Sequence, residues 1–387
     1  MQNFSFNSAS SLHIHKLQFI DNLRALAILM VILHHAGEVF PGANYLRLIS
    51  PFGRYGVQLF FVMSAFTLCY TGAGLTLQPI NLLGFYTKRL FRIAPMYYLA
   101  IIGYCYAAFA TRGMHGLTPL GDFDDYNKAN MLSNLFFVHG LYPSGNNSIV
   151  PGGWSIGCEM LFYLVFPFLL ILTRISKGYL LAFQIISIIS VGGLLIVARL
   201  TGHHGLGGGS SFAYYFVGNQ MPAFLMGISL FFFWHSDKYF SILILASIIG
   251  LTTLYLSDHL GWSSQVWIIQ PMIFGICSCL LAKIFSKIHL GNIFAGIGKV
   301  SYSMYISHFI FVWLVAQLLK KTNFKWGENV SATLLFFIVA VLSYFFSRIT
   351  FKFIETPFIK LGKNIAKSIW AANKDKEVGV MKFSKPN

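Results

Sequence analysis

Arg24 and His35 stand eleven residues apart inside the first long apolar stretch, FIDNLRALAILMVILHHA, which runs from Phe19 to Ala36. Polar side chains in a segment otherwise suited to lipid are costly and mark function more often than chance. Eleven residues turn a helix through about 1,100°, three turns plus roughly 20°, and climb roughly 16.5 Å. The two side chains therefore share one face, with Arg24 expected near one membrane surface and His35 close to the middle. Such a pair could hold an extended ligand, its charged end at Arg24 and its reactive end at His35, where imidazole can serve as general base or nucleophile.

Further polar residues interrupt the later apolar runs. Arg89 and Arg92, three apart, project from one helix face. A pair of guanidinium forks suits phosphate, and the same spacing also serves as an ordinary basic anchor at a membrane surface. Glu159 follows Trp154 and Ser155 in WSIGCE, about two turns into its helix from the outer end. Its expected depth matches that of His35, and a buried carboxylate needs a partner. An imidazole is the natural one, so Glu159 is expected to orient His35 and fix its tautomer. Tyr305 and His308 lie on one face with Ser301 a turn behind, a polar stripe that should point into a bundle. Gln58 and Ser64 interrupt the second run, and helix packing is the plainer reading of both.

The elements that must position these groups are membrane helices. The chain has 387 residues, 56% hydrophobic and only 10% charged. Soluble domains carry about 25% charged residues. About ten apolar runs reach the roughly 17–25 residues needed to span hydrocarbon: 18–40, 54–71, 91–111, 152–173, 179–199, 213–234, 240–257, 266–284, 302–319 and 330–347. The expectation is an all-α polytopic bundle of about ten transmembrane helices over residues 14–360, followed by a basic tail, 361–387, helical to Ala372. Met131–Leu141 is too short to span and reads as interfacial or re-entrant.

The net charge of +16 follows topology rather than nucleic acid. Lys88, Arg89, Arg92, Arg174, Lys177, Lys283, Lys287, Arg348 and the tail lysines gather on one side if the N-terminus is inside, which is the positive-inside pattern. Both termini are then cytoplasmic, in a cell (inner) membrane. No cleavable signal is expected, because the first 17 residues lack an apolar core. The five cysteines, Cys69, Cys105, Cys158, Cys277 and Cys279, all fall in apolar runs, so neither disulfides nor a zinc site is expected. His203 and His204 sit in a glycine-rich loop, GHHGLGGGSS, where solvation is the default and metal binding the alternative.

Six segments, in order from Ile20 to Phe358, together resemble the bacterial acyltransferase 3 family, multi-pass O-acyltransferases that modify surface polysaccharides. They read IDNLRALAILMVILHH, GVQLFFVMSAFTL, FYTKRLFRIAPMYY, WSIGCEMLFYLVFP, GKVSYSMYISH and FIETPF. The resemblance implies an acyl-CoA donor, usually acetyl-CoA, used from the cytoplasmic side, and a hydroxyl of a polysaccharide or lipid-linked sugar as acceptor. No bound cofactor or metal is implied. The family's arginine–histidine motif falls on Arg24 and His35, its paired arginines on Arg89 and Arg92, and its Trp-Ser-x-x-x-Glu element on Trp154, Ser155 and Glu159.

The expected roles follow: His35, Glu159 and Arg24 catalytic; Arg89, Arg92 and Arg24 holding the donor; Trp154, Ser155, Tyr305 and His308 lining the pocket. Gln58 stands where the family often has an acidic residue and Ala65 where glycine is usual. No hydrolase-like domain of the SGNH type follows within the 387 residues. The competing reading is a transporter of small anions or lipid-linked sugars, since intramembrane Arg, His and Glu also mark transport paths. Transporters often show inverted repeats, and none is visible.

Overall fold

The computed structural model describes residues 9–111, 125–200, 212–260, 266–288, 290–321 and 327–383. His203, His204, Asp122 and Asp124 lie outside these residues. The helices are α1 (Ala9–Val39), α2 (Asn44–Gly53), α3 (Gly56–Thr71), α4 (Pro79–Ala110), α5 (Lys128–Leu135), α6 (Trp154–Ile175), α7 (Gly178–Leu200) and α8 (Phe212–Tyr215). They continue as α9 (Val217–Phe232), α10 (Asp237–His259), α11 (Gln270–Phe285), α12 (Gly291–Lys299), α13 (Ser301–Lys321), α14 (Gly327–Thr350) and α15 (Thr356–Phe383). Among the described residues nine helical stretches are long and apolar enough to cross a membrane, and Gln270–Phe285 is a shorter apolar helix beside them. The all-α, multi-pass expectation holds.

Burial sorts the helices. In α2–α3, 78% of the apolar window is enclosed, against 17% in α7 and in α10. The latter two present Ile186, Ile189, Leu245 and Ile248 outward, as lipid-facing helices do. At the centre, α1 packs against α2, α3, α12, α13 and α14, while α3 lies along α9 and α4 along α15. The short apolar piece is, as expected, not a span: α5 and a single turn, His139–Leu141, leave Leu132, Phe136 and Leu141 exposed.

Two boundaries differ from the sequence expectation for physical reasons. α4 begins at Pro79, twelve residues before the apolar run, because proline starts a helix well and the cationic turns of Arg89 and Arg92 face inward rather than ending the helix. The helix after α14 also does not stop. Residues Phe351–Glu355 form a π-helical turn that runs straight into α15. Pro357 lacks the N–H that the Phe353 carbonyl would accept, so the register slips there and turns Glu355 inward, 4% exposed. The basic segment is then helical to Phe383 and packs on α4, with Phe91 facing Phe358 at 6.5 Å.

α12 meets α1 at Gly298, where a Cβ would stand 1.8 Å from the Asp21 carbonyl oxygen. This contact brings Lys299 beside Asp21 and Arg24. Gly298→Ala is expected to force α12 off α1 and destabilise by about 1–3 kcal/mol, the usual range for overpacking. Gly103→Ala, where nothing lies within 4 Å, should be silent. Melting temperatures of both variants in detergent check this, and equal melting would refute the close contact.

Candidate functional site

A cavity of about 230 Å³ opens among α1, α3, α4, α6, α12, α13, the π-turn and the start of α15. Its walls carry four cations, Arg24, Arg89, Arg92 and Lys299, and three carboxylates, Asp21, Glu159 and Glu355. Arg24 pairs with Asp21 one turn away at 3.6 Å and donates to Thr67 Oγ1 at 3.3 Å. Arg89 donates to Thr71 Oγ1 at 3.5 Å and lies over the rings of Phe85 and Tyr163, 5.6 and 5.9 Å from their centroids. Its Nε is buried without a partner among the described residues. An unsatisfied charged donor is unfavourable, and here it borders a cavity. The expected face-sharing of Arg89 and Arg92 is therefore real, and both line one space.

Glu159 is in the same cavity, on the arginine side. Its carboxylate accepts from Ser64 Oγ at 2.6 Å and from the Tyr163 hydroxyl. The expected pairing with His35 does not form. A helix face can be read from one helix, but α6 turns Glu159 toward α3 rather than toward the far end of α1. Ser64, read from sequence as packing, thus belongs to the site. Gln58 does pack: it donates to Gln220 Oε1 at 2.8 Å, away from the cavity.

His35 lies elsewhere too. The apolar span of α1 is Gln18–Val39, which puts His35 about 6 Å from its far end at roughly 1.5 Å per residue, not at the middle. His35 Nδ1 is 2.7 Å from Glu38 Oε2. A carboxylate only accepts, so Nδ1 carries the proton and Nε2 is left as the basic lone pair. Glu38, not Glu159, sets this tautomer. The His35 ring stands 5.4 Å from that of His308, which stands 5.7 Å from that of Tyr305. Tyr305 closes the cavity. Its hydroxyl is 2.8 Å from Ser155 Oγ and 3.0 Å from the Gly152 carbonyl. Gly152 has φ +74°, and a Cβ there would meet Phe309 and the Tyr305 hydroxyl at 3.0 Å. Arg24 and His35 occupy one helix, but aromatic rings separate the cavity at one from the imidazole at the other.

The remaining candidates divide. Ser155 and Tyr305 line the cavity. Trp154 does not; it buttresses the start of α6 against Tyr215 (4.8 Å) and Phe61 (6.2 Å). His308 is fully buried, with Nδ1 2.6 Å from the Tyr305 carbonyl. Sequence reasoning gives no site role to Asp21, Thr67, Lys299 or Glu38, and Glu355 enters it only as the acidic residue of FIETPF. Glu38 and Asp21 had a local signal, Glu38 three and four residues after His35 and His34, and Asp21 three before Arg24. Beside the loop end of α6, His139 is pressed toward its neutral form by burial and hydrogen-bonds the Gly153 carbonyl at 3.0 Å.

The model of the acyltransferase domain family, acyltransferase 3, matches residues 17–348. The chain belongs to this family. Similar proteins include a provisionally named O-acetyltransferase of Staphylococcus aureus strain COL, 25% identical over 385 residues. The O-acetyltransferase OatA of S. aureus strain NCTC 8325 / PS 47 is 25% identical over 374 residues. In both cases the match covers 89% of this chain and 57% of the relative, so the chain spans little more than half the length of those proteins. No solved structure matches it. The transporter reading loses to this match, which runs through all the span-forming helices up to α14.

The Arg24–Asp21 pair is about four-fifths enclosed on both sides. Removing one partner of such a pair leaves an uncompensated charge. Arg24→Met should therefore lower the melting temperature, and adding Asp21→Asn should recover part of the loss, with a coupling of about 0.5–3 kcal/mol. Strict additivity in the double-variant cycle would refute the pairing.

Proposed function

We propose that this multi-pass membrane protein moves an acyl group, acetyl in the first instance, from an acyl-CoA to a hydroxyl of a cell-surface polysaccharide or lipid-linked sugar. The observation that carries the reading is the cavity lined by Arg24, Arg89, Arg92 and Lys299 with a buried, unsatisfied Arg89 Nε. A polyanionic, phosphate-bearing donor would offset that charge and satisfy that donor. With the N-terminus inside, as the positive-inside pattern favours, this end faces the cytoplasm, where the donor is made, and His35 lies toward the outer surface.

In this reading the thioester reaches His35 past Tyr305, along an offset of roughly 16.5 Å from Arg24. His35 Nε2 takes the proton of the acceptor hydroxyl as its oxygen attacks the thioester carbonyl. The tetrahedral intermediate then collapses, the carbon–sulfur bond breaks, and the leaving thiolate receives that proton from the imidazolium. Glu38 holds the ring in the tautomer that makes Nε2 the base. Glu159, with Ser64 and Tyr163, stands in the donor cavity. Tyr305, held by Ser155, must swing aside for transfer, which keeps water from the thioester until the acceptor is in place.

Purified protein with acetyl-CoA and a surface-glycan acceptor tests this through thiol release and acylated product. His35→Ala is expected to lose about 10²- to 10⁴-fold in kcat, the scale of general-base help. Glu38→Gln should lose about 10²-fold in kcat with the donor KM little changed, because it acts through His35. Arg89→Gln with Arg92→Gln should instead raise the donor KM tenfold or more, about 1.4 kcal/mol or above. A folded His35→Ala protein that turns over at the normal rate would end the proposal. Equal effects of Glu38→Gln and Glu159→Gln on kcat would end the assignment of Glu38.

A further inference from the structure

We infer that His34, His35 and Glu38 form a binding site for a divalent transition-metal ion of the zinc type, at the end of α1 away from the arginine cavity. One ligand atom from each of the three lies within 4.8 Å of the others. Two imidazoles and a carboxylate make a donor set that suits zinc, cobalt or nickel, and not magnesium or calcium.

The protonation pattern supplies the reason a cation belongs there. His34 Nδ1 lies 3.0 Å from the Ser50 carbonyl oxygen. That oxygen only accepts, so the proton of the neutral ring is on Nδ1 and the lone pair on Nε2. His34 Nε2 then faces Glu38 Oε1 at 3.4 Å, two acceptors with no hydrogen between them. A metal ion relieves this opposition. Bonds of about 2.0–2.1 Å around a tetrahedral ion place neighbouring ligand atoms about 3.3–3.4 Å apart, the spacing already present between His34 Nε2 and Glu38 Oε1.

A second imidazole is prepared in the same way. His308 Nδ1 donates to the Tyr305 carbonyl, and its Nε2 is buried with no partner, in a ring 5.4 Å from that of His35. Metal-binding histidines characteristically donate their other N–H to a backbone carbonyl, as His34 and His308 both do. Glu38 is 58% exposed, so an ion can reach the cluster from the surface. Binding through His35 would displace its Nδ1 proton and remove it from acid–base work. This consequence, though not the site itself, rests on the proposed role of His35.

The full-length protein in detergent, without donor or acceptor, is dialysed against Zn²⁺ and, separately, titrated with Co²⁺ while its visible absorption is followed. Saturable binding of one zinc per chain at this cluster is expected, with a d–d band for cobalt and no competition from Mg²⁺. His34→Asn and Glu38→Gln should each weaken zinc by at least about tenfold. Absence of saturable binding would overturn the site. So would binding unchanged in both variants, which would place the metal on other histidines such as His203 and His204. His34→Asn should keep acyl transfer at the metal-free rate and lose the zinc inhibition of the parent protein. Zinc that binds at the cluster yet leaves the parent's transfer rate untouched would overturn the inhibitory consequence and count against His35 as the base.

Discussion

Guanidinium groups inside a helix bundle dictate much of this architecture. Each loses hydration that hydrocarbon cannot replace, so each must find an anion, a hydroxyl, a ring face or a water-filled space. Arg24 finds Asp21 and Thr67; Arg89 finds Thr71 and two aromatic rings and still has Nε unsatisfied. Eight helical elements line the resulting cavity, including the π-turn that carries Glu355 inward. Packing the cations more tightly would remove the cavity and strand their charge. The close approach of α12 to α1 at Gly298 adds Lys299 to the same wall.

The second organising feature is the closure at Tyr305. Its hydroxyl sits between Ser155 and the Gly152 carbonyl, and a glycine with positive φ is needed at 152 for the start of α6 to come this near. Two polar territories result, one cationic around Arg24 and one rich in imidazole around His35. Under the proposed function a thioester is best kept from water until an acceptor arrives, and a hydrogen-bonded tyrosine can open at the cost of a pair of hydrogen bonds.

Much of the fold was legible because hydropathy is a local property. Runs of apolar residues give spans whatever their neighbours, and the short run Met131–Leu141 is not a span, as its length implies. The cationic pair Arg89 and Arg92 was legible for the same reason: three residues on a helix share a face. The pairing of Glu159 with His35 was not, because it depended on which faces of α1, α3 and α6 meet. Ser64 and Tyr163 claim Glu159, and Glu38, three residues beyond His35 on the same helix, claims the imidazole. The nearer carboxylate wins because one turn of a single helix already holds it beside the ring.

By itself, then, the order of residues determined the class of the protein, the membrane-length helices, and which side chains are chemically capable. These rest on covalent spacing and on free energies of transfer that each segment carries with it. Tertiary structure alone decided the turn of Glu159 toward Ser64, the enlistment of Lys299 and Glu355, and the ring barrier between imidazole and cavity. Those depend on helix rotation and crossing, which are set by packing between segments distant in the chain, and no single helix encodes them.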